Sequence, residues 1–181
     1  HSMGGLVARS ALHLAQQQGL DWPRRVRALA FLGTPHHGAP LERGGLLVDR
    51  LLGISPYVAP FARLGRSRSA GITDLRFGNL QDADWQGRDT QDQRHDDRAP
   101  TPLPAGVKTC LVAATTADHV DSLRSTVLGD GLVRLDSALG QHRNPALALA
   151  VPDAQQRVVT RANHWDLLSR PEVSAWLAQQ L

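Results

Sequence analysis

The sequence has little cysteine, few aromatic residues and no long apolar run. Its single cysteine, Cys110, excludes an intramolecular disulfide framework and a zinc site built from thiolates. No uninterrupted apolar stretch approaches the roughly 20 residues that span a bilayer, so we expect no integral membrane segment here. What remains is a chain of 181 residues with 41% hydrophobic content, which predicts one globular domain.

Lysine is also scarce, so that the positive charge comes almost entirely from arginine. The 20 basic residues include one lysine, Lys108, and they exceed the 17 acidic residues by three. Basic clusters occur at 24–27 and 63–68, but acidic residues are interspersed and aromatic residues make up only 4% of the chain. With no recognition motif in addition, we predict no nucleic-acid partner.

Helical and strand-like segments alternate along the chain, which is typical of an α/β fold with a parallel sheet. Residues 3–18 lack proline and have a broad apolar face, which predicts a helix ended by Gly19. A C-terminal helix should begin at Pro171, with Ser169 as its cap. Apolar runs predict three buried strands, at 26–32, 107–114 and 157–160. A short helix is predicted within 132–139.

Residues 54–104 interrupt this pattern. They contain five prolines and a polar tract from 81 to 98, and they match no specific motif. So long an irregular stretch inside a compact domain is typical of an insertion or lid. We therefore expect one domain over 1–181 with a lid-like insertion at 54–104.

The strongest chemical signal lies at the start of the chain. Ser2, Met3 and Gly4 supply the last part of a G-x-S-x-G nucleophile elbow, whose first glycine would precede His1. In such an elbow the serine occupies a strained strand-to-helix turn, and the next residue's amide helps to bind the oxyanion. This pattern predicts Ser2 as nucleophile and the Met3 amide as oxyanion donor. A glycine-rich turn with an ordinary serine is the alternative.

A serine hydroxyl needs a base, and the base needs a carboxylate to orient it. In α/β-hydrolases the chain order is Ser, then Asp or Glu, then His. His164 follows the third predicted strand, and Asp130 lies between Gly129 and Gly131 in the preceding connection. We therefore predict Asp130 as the acid and His164 as the base.

Other carboxylates compete for the role of the acid. Asp118 and Asp121 fall in the same window and remain alternatives. Asp136 lies inside a predicted helix, where a solvated position is more usual. Asp166 is too close to His164 in sequence to orient its ring, and it fits better at the start of the next segment.

The adjacent histidines His36 and His37 follow the first strand. In an extended segment their side chains diverge, which argues against a shared metal ion. We expect them to be structural or to line a cleft, and we predict no metal and no cofactor.

Four segments in this order resemble the serine α/β-hydrolases of the lipase and esterase group, including GPI inositol-deacylase-like and triacylglycerol-lipase-like proteins. The segments are 1–9, 31–38, 129–133 and 163–168. The resemblance implies Ser2 as nucleophile, Asp130 as acid, His164 as base and a lipid-like carboxylic ester as substrate. It also implies that the three strands are the last three of an eight-stranded sheet, with a lid at 54–104.

The chain departs from this family by opening inside the motif at His1. We therefore expect an N-terminally truncated hydrolase domain that folds poorly and has little activity by itself, because an apolar strand edge would be left unpaired. The same triad also serves acyltransferases, thioesterases and amidases, and a non-catalytic fragment or pseudoenzyme is the alternative from a different class. The sequence predicts no compartment.

Overall fold

The protein has an α/β fold, seen in a computed structural model that describes residues 1–39, 75, 77–84, 86, 96–120 and 129–181. Most of the predicted lid at 54–104 lies outside the described residues, as does Asp121. Of the described part of that insertion, residues 82–84 form a short 3₁₀ helix and 96–100 have no regular structure.

In the described part of the chain, three parallel strands form the sheet, in the order β1-β2-β3. They are β1 (Ala28–Leu32), β2 (Lys108–Ala114) and β3 (Gln156–Val159). Ala28 lies opposite Lys108, and Leu111 lies opposite Gln156. The three predicted strands and their parallel arrangement are thereby confirmed.

Three α-helices whose full extent lies within the described residues accompany the sheet: α1 (Met3–Gln17), α2 (Leu135–Ala138) and α3 (Pro171–Gln180). Gly19 follows α1 with a φ of 68°, a left-handed conformation that ends the helix as predicted. The prediction of Ser169 as cap of α3 is wrong, because Arg170 is the N-cap and the Ser169 hydroxyl points to the Asp166 carbonyl. None of the described helices has the length and apolar character to cross a bilayer.

The core lies on both faces of β2, because successive side chains of a strand point to opposite sides of the sheet. Leu111 and Ala113 pack on one side against Leu135 of α2. Val112 and Ala114 pack on the other side against a cluster that includes Val173 of α3. A central strand with two covered faces accounts for the continuous apolar run in the sequence.

The carboxyl ends of the three strands meet at one edge of the sheet, where open α/β folds bind their ligands. The Ser2 amide donates to the Leu32 carbonyl oxygen at 3.0 Å, so the start of α1 lies at the end of β1. The Thr115 amide after β2 donates to the Val159 carbonyl oxygen at 2.9 Å. The loops that leave this edge carry Asp130 and His164.

Candidate active site

Ser2 has a backbone conformation that residues with a side chain rarely adopt. Its φ is 55° and its ψ is −135°, directly before α1 begins at Met3. A non-glycine residue in such a region costs on the order of 1–3 kcal/mol, which the surrounding structure must supply. Its side chain makes no capping hydrogen bond to the helix. The hydroxyl is therefore not used to begin the helix, although serine is a common N-cap.

The glycine that allows close packing at this turn is Gly5, whose role was not predicted from the sequence. A Cβ at Gly5 would overlap the side chain of Thr34, with its distance to the Thr34 Cβ only 2.8 Å. A Cβ at Gly4 would meet no atom of the described residues within 4 Å. The second of the two consecutive glycines therefore permits α1 to approach the loop after β1. The Gly-Gly pair in the sequence is the feature that could have predicted this close approach.

The Met3 amide occupies the first position of α1. The first backbone N–H groups of a helix have no acceptor within the helix, and the helix dipole makes this end electropositive. Met3 thus has the position predicted for an oxyanion donor, one residue after the serine. Its side chain is exposed.

Asp130 is held in a tight turn between two glycines with positive φ, 51° at Gly129 and 91° at Gly131. Its Oδ1 accepts backbone hydrogen bonds from Leu132 at 2.9 Å and Val133 at 2.8 Å. Its Oδ2 is left for another donor. The predicted glycine-bounded turn therefore fixes the carboxylate and directs one oxygen away from it.

That second oxygen contacts the imidazole of His164. The distance from Asp130 Oδ2 to His164 Nδ1 is 2.7 Å, and both side chains are almost completely buried. The His164 amide also donates to the Asp130 carbonyl oxygen at 3.2 Å. Because an ionised carboxylate only accepts, Nδ1 carries the proton and Nε2 is the basic nitrogen of the neutral ring.

His164 Nε2 is buried and has no hydrogen-bond partner among the residues that the structure describes. The Ser2 hydroxyl is thus not hydrogen-bonded to it here, a separation common in active sites before substrate binds. Two contacts bring the loops of Ser2 and His164 together. Gly33 follows Leu32, whose carbonyl oxygen accepts from the Ser2 amide. It packs so closely on His164 that an added Cβ would lie 3.0 Å from the His164 ring. His1 contacts the His164 ring directly, with centroids 4.6 Å apart.

The competing carboxylates have other partners. Asp118 is exposed and pairs with Arg161 at 2.6 Å. Asp136 lies on α2 and pairs with exposed Arg134 at 2.8 Å, as its predicted helical position suggested. Asp166 accepts the Asn163 amide at 2.8 Å, which begins the short helix after His164. Of the acids whose positions are described, Asp130 is the one bonded to the His164 ring.

His36 and His37 lie in a buried basic cluster behind α1. Arg9 donates to His36 Nδ1 at 3.2 Å and to the Thr101 carbonyl oxygen at 2.6 Å, and burial together with the charge of Arg98 lowers the pKa of Arg9 to about 10. Burial, reinforced by the charge of Arg9, lowers the pKa of His36 well below its usual value. Burial also lowers the pKa of His37 to about 4, and its Nδ1 accepts from Arg98 at 3.1 Å. Both histidines are therefore neutral structural groups, and their rings contact different arginines.

No group of three or more His, Cys, Asp or Glu side chains in the described ranges is arranged to hold a metal ion. The polar groups at the sheet edge are instead a hydroxyl, an imidazole and a carboxylate, with a helix amide beside them. Such a set can transfer protons and stabilise an oxyanion without a bound cation.

Comparison with known proteins gives a match to a family model. No curated protein and no solved structure matches the chain. The family model described as the PGAP1-like alpha/beta domain matches residues 1–55. This stretch contains Ser2, α1, β1 and the loop with His36 and His37. The match and the parallel sheet flanked by helices are consistent with an α/β-hydrolase-like family and with a hydrolase-like function.

Proposed function

We propose that this protein is a serine hydrolase that cleaves carboxylic esters through an acyl-enzyme. The observation that carries the proposal is the buried 2.7 Å contact between Asp130 Oδ2 and His164 Nδ1, at the sheet edge where Ser2 begins α1. The free Nε2 of His164 is then the base, and Ser2 is the nucleophile. The family match over residues 1–55 supports the same class of reaction.

In the first step, His164 Nε2 takes the hydroxyl proton as Ser2 Oγ attacks the ester carbonyl carbon. The imidazole becomes positively charged, and the carboxylate of Asp130 stabilises it through the Nδ1–H bond. The carbonyl oxygen gains negative charge, which the Met3 amide at the start of α1 would stabilise. One such donor contributes on the order of 10²–10³ in rate.

In the second step, the tetrahedral intermediate collapses and the alcohol leaves with the proton from His164. A water molecule then gives its proton to Nε2 and attacks the acyl carbon, and the same sequence releases the acid and frees Ser2. Each step needs only proton transfer to or from Nε2 of His164, besides the ester and water. The chemistry therefore requires no cofactor.

Apolar side chains that neighbour these groups along the chain support a lipid-like substrate. Met3, directly after the proposed nucleophile, is 46% exposed, and Leu168, four residues after the proposed base, is 59% exposed. The Trp165 ring lies edge-on to His164 with centroids 5.6 Å apart. Exposed apolar surface beside a reactive group is typical of a site for an apolar acyl chain.

The test is hydrolysis of p-nitrophenyl esters with short, medium and long acyl chains by the protein at its full natural length. Ser2→Ala should lower turnover by about 10⁴-fold or more, because the covalent step is lost. Ser10→Ala, a matched change on the same helix, should leave turnover within about two-fold. Ester turnover that survives Ser2→Ala would contradict the proposal.

A further inference from the structure

The backbone of His164 is held on two sides by different residues. Its amide and its Nδ1 both bond to Asp130, at 3.2 and 2.7 Å. Its carbonyl oxygen accepts a hydrogen bond from His1 Nε2 at 3.1 Å. A carbonyl oxygen only accepts, so His1 carries a proton on Nε2. Asp130 therefore orients the imidazole, while His1 holds the opposite end of the same residue.

The His1 ring also packs against the rings at the site. Its centroid lies 4.6 Å from that of His164 and 5.6 Å from that of Trp165. The Trp165 and His164 rings are themselves 5.6 Å apart. The three rings form a mutual cluster, in which the position of His1 limits where the imidazole of His164 can lie.

His1 is also bonded covalently to Ser2, which is fixed on its own side. The Ser2 amide is held by the Leu32 carbonyl oxygen at 3.0 Å, and the Gly4 amide donates to the His1 carbonyl oxygen at 3.0 Å. The backbone at His1 and Ser2 is thus anchored to β1 and α1. The side chain of His1 then reaches from this anchored backbone to the loop of His164, across 163 positions of sequence.

We propose that His1 is a positioning residue that sets the distance between Ser2 Oγ and His164 Nε2. It does so by donating from Nε2 to the His164 carbonyl oxygen. This inference rests on the proposed function, since it concerns the same nucleophile and base. His1 exchanges no proton with substrate in this account and acts only through His164.

Geometry gives the expected size of the effect. Proton transfer needs the hydroxyl and the imidazole nitrogen at about 2.6–3.2 Å, and a displacement of about 1 Å can cost about 10²-fold in rate. Loss of the His1 hydrogen bond leaves the Asp130–His164 pair intact but releases the His164 loop on the Ser2 side. We therefore expect kcat to fall about 10–10²-fold in His1→Ala, with little change in KM.

Three variants in the protein at its full natural length separate the hydrogen bond from the ring packing. His1→Gln keeps an N–H donor at a similar reach but removes the ring, His1→Phe keeps a ring but removes the donor, and His1→Ala removes both. His13→Ala is the matched control, because His13 is a half-buried histidine farther along α1 whose Nε2 contacts the Gln81 side chain at 3.2 Å. Steady-state kcat and KM, the inactivation rate by a fluorophosphonate and the melting temperature are measured for each.

We expect His1→Gln to retain most of kcat, and His1→Phe and His1→Ala to lose it without a matching loss of melting temperature. The inactivation rate should fall in the same order, and His13→Ala should resemble the wild type. Three results would overturn the proposal. They are a wild-type kcat in His1→Phe, a loss of kcat that follows the loss of melting temperature, and an unchanged kcat in all three His1 variants. If Ser2→Ala and His164→Ala also left turnover intact, the proposed function itself would fail, which is a separate result.

Discussion

Replacing Asp130 by asparagine should remove the basic nitrogen of His164 while leaving the turn in place. In the native turn, Oδ1 accepts from the Leu132 and Val133 amides at 2.9 and 2.8 Å. An asparagine must keep its oxygen at that position, because its NH₂ group would face two N–H donors there. The NH₂ group therefore faces His164 Nδ1.

This orientation reverses the proton arrangement of the imidazole. Nδ1 must accept from the asparagine NH₂ group, so the neutral ring carries its proton on Nε2. A protonated Nε2 cannot take the proton of Ser2. The corresponding substitution in triad proteases lowers kcat about 10⁴-fold, equivalent to about 5 kcal/mol in the activation free energy.

The assay is kcat on an ester substrate together with the melting temperature. Asp130→Asn should lose about 10⁴-fold in kcat while retaining a cooperative melting transition. Asp118→Asn is the matched control, because Asp118 is exposed and pairs only with exposed Arg161 among the contacts described. It should stay within about two-fold of wild type, since exposed ion pairs contribute little. Asp130→Asn within ten-fold of wild type, or a large loss in Asp118→Asn, would refute the reasoning.

Two further predictions concern the packing around the site. Gly5→Ala should lower the free energy of unfolding by about 1–3 kcal/mol in urea titrations, because the added Cβ would overlap Thr34. Gly4→Ala should not lower it, because a Cβ at Gly4 meets no described atom within 4 Å. Equal effects of the two substitutions would contradict the packing argument. Burial lowers the pKa of His37 to about 4 in the folded protein. As the pH falls from about 6.5 to 4, His37 therefore binds a proton in the unfolded chain but not in the folded one. Stability from this group is complete above pH 6.5 and falls by about 1.4 kcal/mol per pH unit through that window. His37→Gln should reduce the slope of unfolding free energy against pH by that amount, and an unchanged slope would show that His37 does not titrate as described.

Local patterns predicted the strands and helices because each is decided over a few residues. The run around Leu111 is apolar on both faces, and the structure covers both faces of β2. The glycines around Asp130 predicted its turn, since positive φ favours residues without a side chain. The cap of α3 was misassigned because several residues before Pro171 could begin the helix, and the side chain of Ser169 turns back to the preceding 3₁₀ turn.

Contacts between distant segments could not be predicted in the same way. The His1–His164 hydrogen bond joins residues 163 positions apart, and nothing in the local sequence of His1 indicates its partner. The overlap of Gly5 with Thr34 depends on how α1 approaches β1, which the spacing of glycines alone does not specify. Chain order limited the acid to a few aspartates before His164, and the glycines on both sides of Asp130 favoured that residue. The two side chains meet because the carboxyl ends of parallel strands lie at one edge of the sheet.

The most direct measurement is the site of covalent modification by a fluorophosphonate that reacts with activated serines. Mass spectrometry of the labelled full-length protein, followed by peptide fragmentation, identifies the modified residue. We expect one phosphonyl group on Ser2, no adduct in Ser2→Ala and much slower labelling in Asp130→Asn. An adduct on another residue such as Ser137, or ester turnover with Ser2 unmodified by the reagent, would contradict it.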